Sequence, residues 1–138
     1  MSAGDDSLID LPAPFVDARG AIQTLVQDKR IATVQVITSK AGSVRANHYH
    51  KTDWHYNYLL SGKMKYYYRP VGSTAAPTVL VVEAGQLVYT PSLVEHAVEY
   101  VEDSVFINMA GSPRDQAAYE SDLVRVELIK PPLIKSGR

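Results

Sequence analysis

Histidine is the residue type in this chain best suited to chemistry near neutral pH, because imidazole both ligates metal ions and exchanges protons around pH ~6.5. The chain of 138 residues has four histidines. His48, His50 and His55 fall within Gly42–Gly62 (GSVRANHYHKTDWHYNYLLSG), and His96 follows the turn-like segment Tyr89-Thr90-Pro91-Ser92. Only Tyr49 separates His48 from His50, so on an extended strand both rings project to one side. There is no cysteine, which excludes disulfides and thiolate chemistry and leaves His, carboxylate or water to hold any metal. Nine tyrosines against two phenylalanines and one tryptophan add polar-tipped aromatics, most of which strand propensity explains.

The elements that must position these groups read as strands. Ile31–Ser39 (IATVQVITS) is β-branched and alternating, and further strands are expected at about Arg45–His50, His55–Leu60, Lys63–Arg69, Thr78–Glu83, Gln86–Thr90, His96–Val101, Ser104–Met109 and Leu123–Ile129. Phe15–Val26 reads as a turn at Asp17–Gly20 followed by a short strand, and Pro70–Pro77 as a loop. Arg114–Ser121 is polar and has room for one helical turn. Many short strands with almost no helix predict an all-β sandwich or barrel. The expected layout is a flexible segment at 1–11, one domain over 12–130, and a tail at 131–138.

Apolar residues at 46%, charged residues at 21% and a formal net charge of −1 fit an ordinary globular domain and give no electrostatic case for nucleic acid or an anionic membrane. No apolar run approaches the ~20 residues that span a bilayer, and the first residues lack an export-signal pattern, so a cytoplasmic location is expected.

Gly42-x5-His48-x-His50-x4-His55-x6-Gly62 resembles the first motif of the cupin superfamily, and Gly85-x5-Pro91-x4-His96 resembles the second. Leu93 and Tyr100 stand where that second motif usually has glycine and asparagine. The resemblance implies a jelly-roll β-barrel whose ligand positions are His48, His50, His55 and His96. In the family a glutamate usually occupies the place of His55, so the implied site is all-imidazole. It implies one divalent transition metal ion per chain (Zn, Fe, Ni or Mn) and a centre one charge more positive than usual, hence a stronger Lewis acid. Phe15-x-Asp17-x-Arg19-Gly20 and Arg45-Ala46-Asn47-His48-Tyr49-His50-Lys51 also resemble cupins acting on nucleotide-linked deoxysugars (3,5-epimerases, 3,4-ketoisomerases and capsule-synthesis cupin domains). That resemblance implies that Arg45 contacts substrate phosphate or hydroxyl and that His48 or His50 is the base, His50 being preferred.

The expected function is metal-binding and enzymatic: isomerisation, epimerisation or cyclisation of an enolisable carbonyl compound, sugars included. A base with pKa near 7 and a stabilised enolate are what such chemistry needs, with Tyr56, Tyr58 and Tyr66 as candidates to return the proton. The alternatives are an iron-dependent dioxygenase and a non-catalytic metal- or sugar-binding cupin. The expected partners are a small-molecule substrate and, by analogy with other single-domain cupins, a second copy in a homodimer.

Overall fold

The computed structural model describes residues 7–130. Two five-stranded antiparallel sheets hold the core. One has the order β1 (Leu8–Ile9), β9 (Leu87–Thr90), β6 (His55–Ser61), β11 (Ser104–Ala110), β4 (Thr33–Ser39). The other runs β12 (Leu123–Arg125), β5 (Val44–His50), β10 (Val94–Tyr100), β7 (Lys63–Pro70), β8 (Thr78–Glu83). Strands β2 (Phe15–Asp17) and β3 (Gly20–Ile22) form a separate hairpin, and the helix α1 (Gln116–Asp122) precedes β12. This is the expected jelly roll, with strand boundaries within a few residues of those read from the sequence.

Alternation decides what enters the barrel. Along β6, His55, Asn57 and Leu59 are buried while Tyr56 and Tyr58 are only half-buried, as the two-residue period of a strand requires. Leu59, Met64, Tyr66, Val82, Val88, Tyr100 and Phe106 form the hydrophobic core, each such side chain contributing roughly 1.5–3 kcal/mol on burial. The histidines lie at the other end of the same interior. Gly62 closes the β6–β7 turn with φ +100°, and a Cβ there would collide with Ser104 and the Asp103 carbonyl; no other residue fits this turn.

Four segments differ from the sequence reading. Phe15–Asp17 is itself a strand paired to Gly20–Ile22, and the last strand ends at Arg125 rather than Ile129. Within the expected flexible stretch 1–11, Leu8–Ile9 is an edge strand paired to Val88 and Leu87, and the Leu8 side chain packs against the core; residues 1–6, like the expected tail 131–138, lie outside the described residues. After β11 the polar segment forms the seven-residue helix α1, capped by Asp115, whose carboxylate accepts from the Ala118 N–H at 3.0 Å.

Candidate active site

The structure brings all four imidazoles together. Ring centroids are 4.9 Å apart for His48–His50, 4.8 Å for His48–His96, 5.7 Å for His50–His55 and 5.2 Å for His55–His96. His48 and His50 come from β5, His55 from β6 and His96 from β10, so the cluster bridges the two sheets. One ring nitrogen from each of His48, His50 and His96 lies within 4.8 Å of the others, whereas His55 falls outside that group.

Hydrogen bonds set the tautomers. His50 Nδ1 lies 2.9 Å from Asp122 Oδ2; the carboxylate only accepts, so Nδ1 carries the proton and the buried Nε2 keeps its lone pair, with no partner among the described residues. His96 Nδ1 faces the Val94 carbonyl at 3.1 Å and donates likewise. His55 is the reverse: Arg114 Nη2 lies 3.2 Å from its Nδ1, and a guanidinium only donates, so the proton sits on Nε2. A histidine in that tautomer offers no lone pair to a metal at Nε2.

Arg114 is itself fixed by a buried ion pair with Asp53, Nε to Oδ2 at 2.9 Å. Burial chiefly, then neighbouring rings and the Arg114 charge, holds the imidazoles neutral: His48 is pushed down to about 2, His96 to about 4, and His55 well below its usual value. His50 is lowered by burial and Arg114 against the opposing pull of Asp122. Burial pushes Asp122 up, but hydrogen bonds from Thr52, His50 and the Asp53 N–H outweigh it and hold the carboxyl below the ordinary range.

Arg45 reaches the site through an irregularity. Its strand parity is opposite to that of His48, so simple alternation places the two on opposite faces. Ala46 (φ 71°) and Asn47 (φ 58°) both adopt left-handed backbone, and the pairing steps from His96↔His48 to Ala97↔Ala46, leaving Asn47 as the extra residue of a bulge. Arg45 then pairs with Val98 and shares a cavity with it, His48 and His96. Asn47 locks the bulge: its Oδ1 accepts from the Leu128 and Ile129 N–H groups at 3.0 Å, and its Nδ2 donates to the Ile129 carbonyl at 3.0 Å. Arg45 also donates to Ser39 Oγ at 2.7 Å and to the Thr38 carbonyl at 2.9 Å.

Two cavities meet at the cluster. One of about 270 Å³ contains Arg45, His48, His55 and His96; the other, about 480 Å³, reaches His50 and Asp122. Arg114 and Tyr119 line both, the guanidinium carbon lying 5.4 Å from the centre of the Tyr119 ring. Tyr119 also packs edge-on against His48 and His50, and burial raises its phenol above the ordinary value despite Arg114 and Arg125.

The three tyrosines expected from sequence are placed elsewhere. Tyr56 and Tyr58 alternate away from His55 to the outer face of β6, where Tyr56 packs on Trp54 and Tyr89. Tyr66 is in the core, its hydroxyl 2.6 Å from Thr90 Oγ1, with burial raising its pKa. Its ring is 6.4 Å from that of His96, and it lines neither cavity. The groups missed by sequence reasoning are Asp53, Arg114, Tyr119 and Asp122. For the last three the one legible signal is the cluster of ionisable residues in the polar segment after Pro113, whereas Asp53 lies in the short polar gap between His50 and His55.

Residues 15–112 match the polysaccharide biosynthesis C-terminal domain family. No curated protein matches the chain. Among solved structures, the sugar 3,4-ketoisomerase QdtA from Thermoanaerobacterium thermosaccharolyticum in complex with TDP is similar over 86% of each chain, with 20% identity and a TM-score of 0.67. ChmJ, a 3'-monoepimerase from Streptomyces bikiniensis in complex with dTDP-quinovose, is 19% identical with a TM-score of 0.67 over 78% of this chain and 65% of that one. The capsular polysaccharide assembling protein CapF from Staphylococcus aureus is 24% identical with a TM-score of 0.63, and the chain corresponds to 34% of its length. The family match stops just short of Arg114, Tyr119 and Asp122, which complete the site from the segment that follows. With more than two-thirds of its length matched and a cupin jelly roll beneath it, the chain belongs to the polysaccharide biosynthesis C-terminal domain family.

Proposed function

We propose that this chain moves a proton at a carbon next to a carbonyl in a sugar-type substrate, as an isomerase or epimerase. The observation that carries the reading is His50, with Nδ1–H held by Asp122 at 2.9 Å and a buried, unpartnered Nε2. In that orientation Nε2 takes the proton: the substrate C–H bond breaks, its electron pair moves into the carbonyl to give an enolate, and Asp122 steadies the imidazolium. Arg114, immobilised by Asp53, is the fixed cation for the enolate oxygen. Tyr119 is the proton donor on return, since its raised pKa keeps the phenol protonated at neutral pH; water then takes the proton from His50 and returns one to the Tyr119 phenolate. Arg45 binds an anionic or hydroxylated part of the substrate at the mouth.

The fold likeness to a ketoisomerase and an epimerase makes nucleotide-linked 6-deoxysugars the first class to test. The probe is TDP-4-keto-6-deoxyglucose, which QdtA binds as a variant in one solved complex. In deuterated buffer, proton NMR is expected to show loss of the signal from a carbon next to the ketone, and His50→Gln is expected to abolish that loss. Exchange at the wild-type rate in His50→Gln would remove the base assignment.

A second reading is supported by the grouping of His48, His50 and His96 within 4.8 Å. The buried lone pair of His50 fits a metal donor, and these three residues would hold one divalent transition ion with His55 beside it. Bound there, such an ion acts as a Lewis acid on a carbonyl oxygen. The single Nε2 lone pair of His50 serves either as ligand or as base, so the readings exclude each other at that atom. Metal analysis of the purified protein, with proton exchange measured before and after chelation, separates them. Turnover that requires dioxygen would instead favour an oxygenase.

A further inference from the structure

The wall of the 270 Å³ cavity facing the imidazoles carries a row of carboxamides. Asn108 on β11 pairs in register with Gln35 on β4 and with Asn57 on β6, so three amides lie side by side across adjacent strands. All three line the cavity together with Arg45, His48 and His96 of the opposite sheet. Asn57 is one inward position along β6 from His55, whose ring centre lies 5.7 Å from that of His50. His50 itself opens on the neighbouring 480 Å³ cavity, so the row faces the part of a substrate that extends past the base. Phe106 and Ile37, the next inward residues on β11 and β4, are apolar and mark where the row gives way to the core.

The row is not satisfied by itself. Asn108 Nδ2 donates to Asn57 Oδ1 at 2.7 Å. Asn108 Oδ1 is fully buried and has no hydrogen-bond partner among the described residues, although the residue is only 3% exposed. Native interiors rarely leave an amide oxygen so placed, and an apolar residue of similar shape fills a core position without that penalty. Rotation of the Asn108 carboxamide brings that acceptor to the cavity wall, where a ligand O–H pairs with it. Asn57 Nδ2 and the Gln35 amide add donors and acceptors on either side.

We propose that Gln35, Asn57 and Asn108 form a subsite that reads ring hydroxyls of a substrate reaching from His50 into this cavity, with Asn108 Oδ1 accepting from one of them. The subsite rests on the reading that this cavity takes a sugar-type carbonyl substrate, and it selects a polyhydroxylated ring over an unhydroxylated ketone or an aromatic polyketide. A site built to hydrogen-bond a hydroxyl rejects an analogue lacking it by leaving its own buried groups unpaired.

The test uses two probes. Affinities for TDP and for dTDP-quinovose are compared in the wild type, in Asn108→Leu and in Asn108→Thr, whose hydroxyl still donates toward Asn57. The gain in affinity that the deoxysugar adds over TDP is expected to fall at least tenfold in either variant, with TDP affinity unchanged. In parallel, the side-chain NH2 resonances of Gln35, Asn57 and Asn108 in 15N-labelled wild type are followed during titration with free L-rhamnose, and they are expected to shift. A folded variant that keeps the full sugar increment overturns the subsite, and so do amide resonances that stay still. Failure of the wild type to bind TDP counts against the nucleotide part of the functional reading; the subsite then stands or falls on the rhamnose shifts.

Discussion

Asp122 and His50 are 72 positions apart in sequence, yet Asp122 Oδ2 lies 2.9 Å from His50 Nδ1 and fixes which ring nitrogen faces the barrel interior. The same carboxylate accepts from the Thr52 N–H and the Thr52 hydroxyl, both at 2.8 Å. It therefore holds the loop between His50 and His55 as well as the ring. Asp122→Asn is expected to lower activity, or metal affinity if the ion is the working group, by roughly 10–100-fold, the usual loss when a histidine's orienting carboxylate is removed. Steady-state proton exchange and zinc titration on the one variant measure both. Unchanged values in both assays would show that Asp122 only braces the loop.

Metal binding should divide the histidines three to one. His48→Ala, His50→Ala and His96→Ala each remove a member of the group whose ring nitrogens lie within 4.8 Å of one another, and each is expected to cost at least tenfold in affinity for Co²⁺ or Zn²⁺. His55→Gln should leave affinity within a few-fold, because the Arg114 hydrogen bond assigns the His55 proton to Nε2. Cobalt absorption spectra report ligand number directly. A band intensity that drops in His55→Gln as much as in the other variants would restore the four-imidazole ligand set implied by the cupin resemblance.

The strands and the histidine cluster were legible because both obey the two-residue period and short-range spacing: His48, His50 and His55 sit where the pattern Gly42–Gly62 places them. Arg45 was legible as a residue type but not as a direction, since only the bulge at Ala46–Asn47 turns it toward His48. The partners of the imidazoles were hidden for a different reason. Asp122 and Arg114 arrive from a short helix and the loop before it, and a polar segment of that kind looks the same in sequence whether it faces solvent or folds over a cavity. Tyr56 and Tyr58 misled because, once β6 is placed, parity alone sends them outward with His55 inward.

The bulge offers a stability test. Left-handed backbone costs an L-residue other than Asn or Gly roughly 1–2 kcal/mol, and Asn47 offsets its share through three side-chain hydrogen bonds to residues 128 and 129. Asn47→Ala loses those bonds and keeps the strain, so a cost of about 2–4 kcal/mol is expected. Asn47→Gly loses the bonds but not the backbone conformation and should cost about 1–2 kcal/mol less than Ala. Urea unfolding of the pair measures the difference. Equal losses would mean that φ at position 47 relaxes without penalty.

Acid should destabilise the metal-free protein through its buried imidazoles. His96 has a folded-state pKa lowered from 6.5 to about 4, and His48 from 6.5 to about 2, burial being the main cause in both. The folded protein keeps these rings neutral, whereas the unfolded chain binds protons on them once pH falls through ~6.5. Stability is therefore fully present above that value and is lost as pH falls toward about 4, each histidine contributing up to about 1.4 kcal/mol per pH unit. For His96 alone the loss is on the order of 3 kcal/mol across the window, and His48 continues to lose stability below it. Unfolding midpoints in urea at a series of pH values from 7 to 4 should fall steeply, and more gently in His96→Gln, which has no proton to take up. A midpoint flat from pH 7 to 4 in the metal-free wild type would mean that the imidazoles are solvated or already charged in the fold, and the neutral cluster on which both functional readings depend would be lost with it.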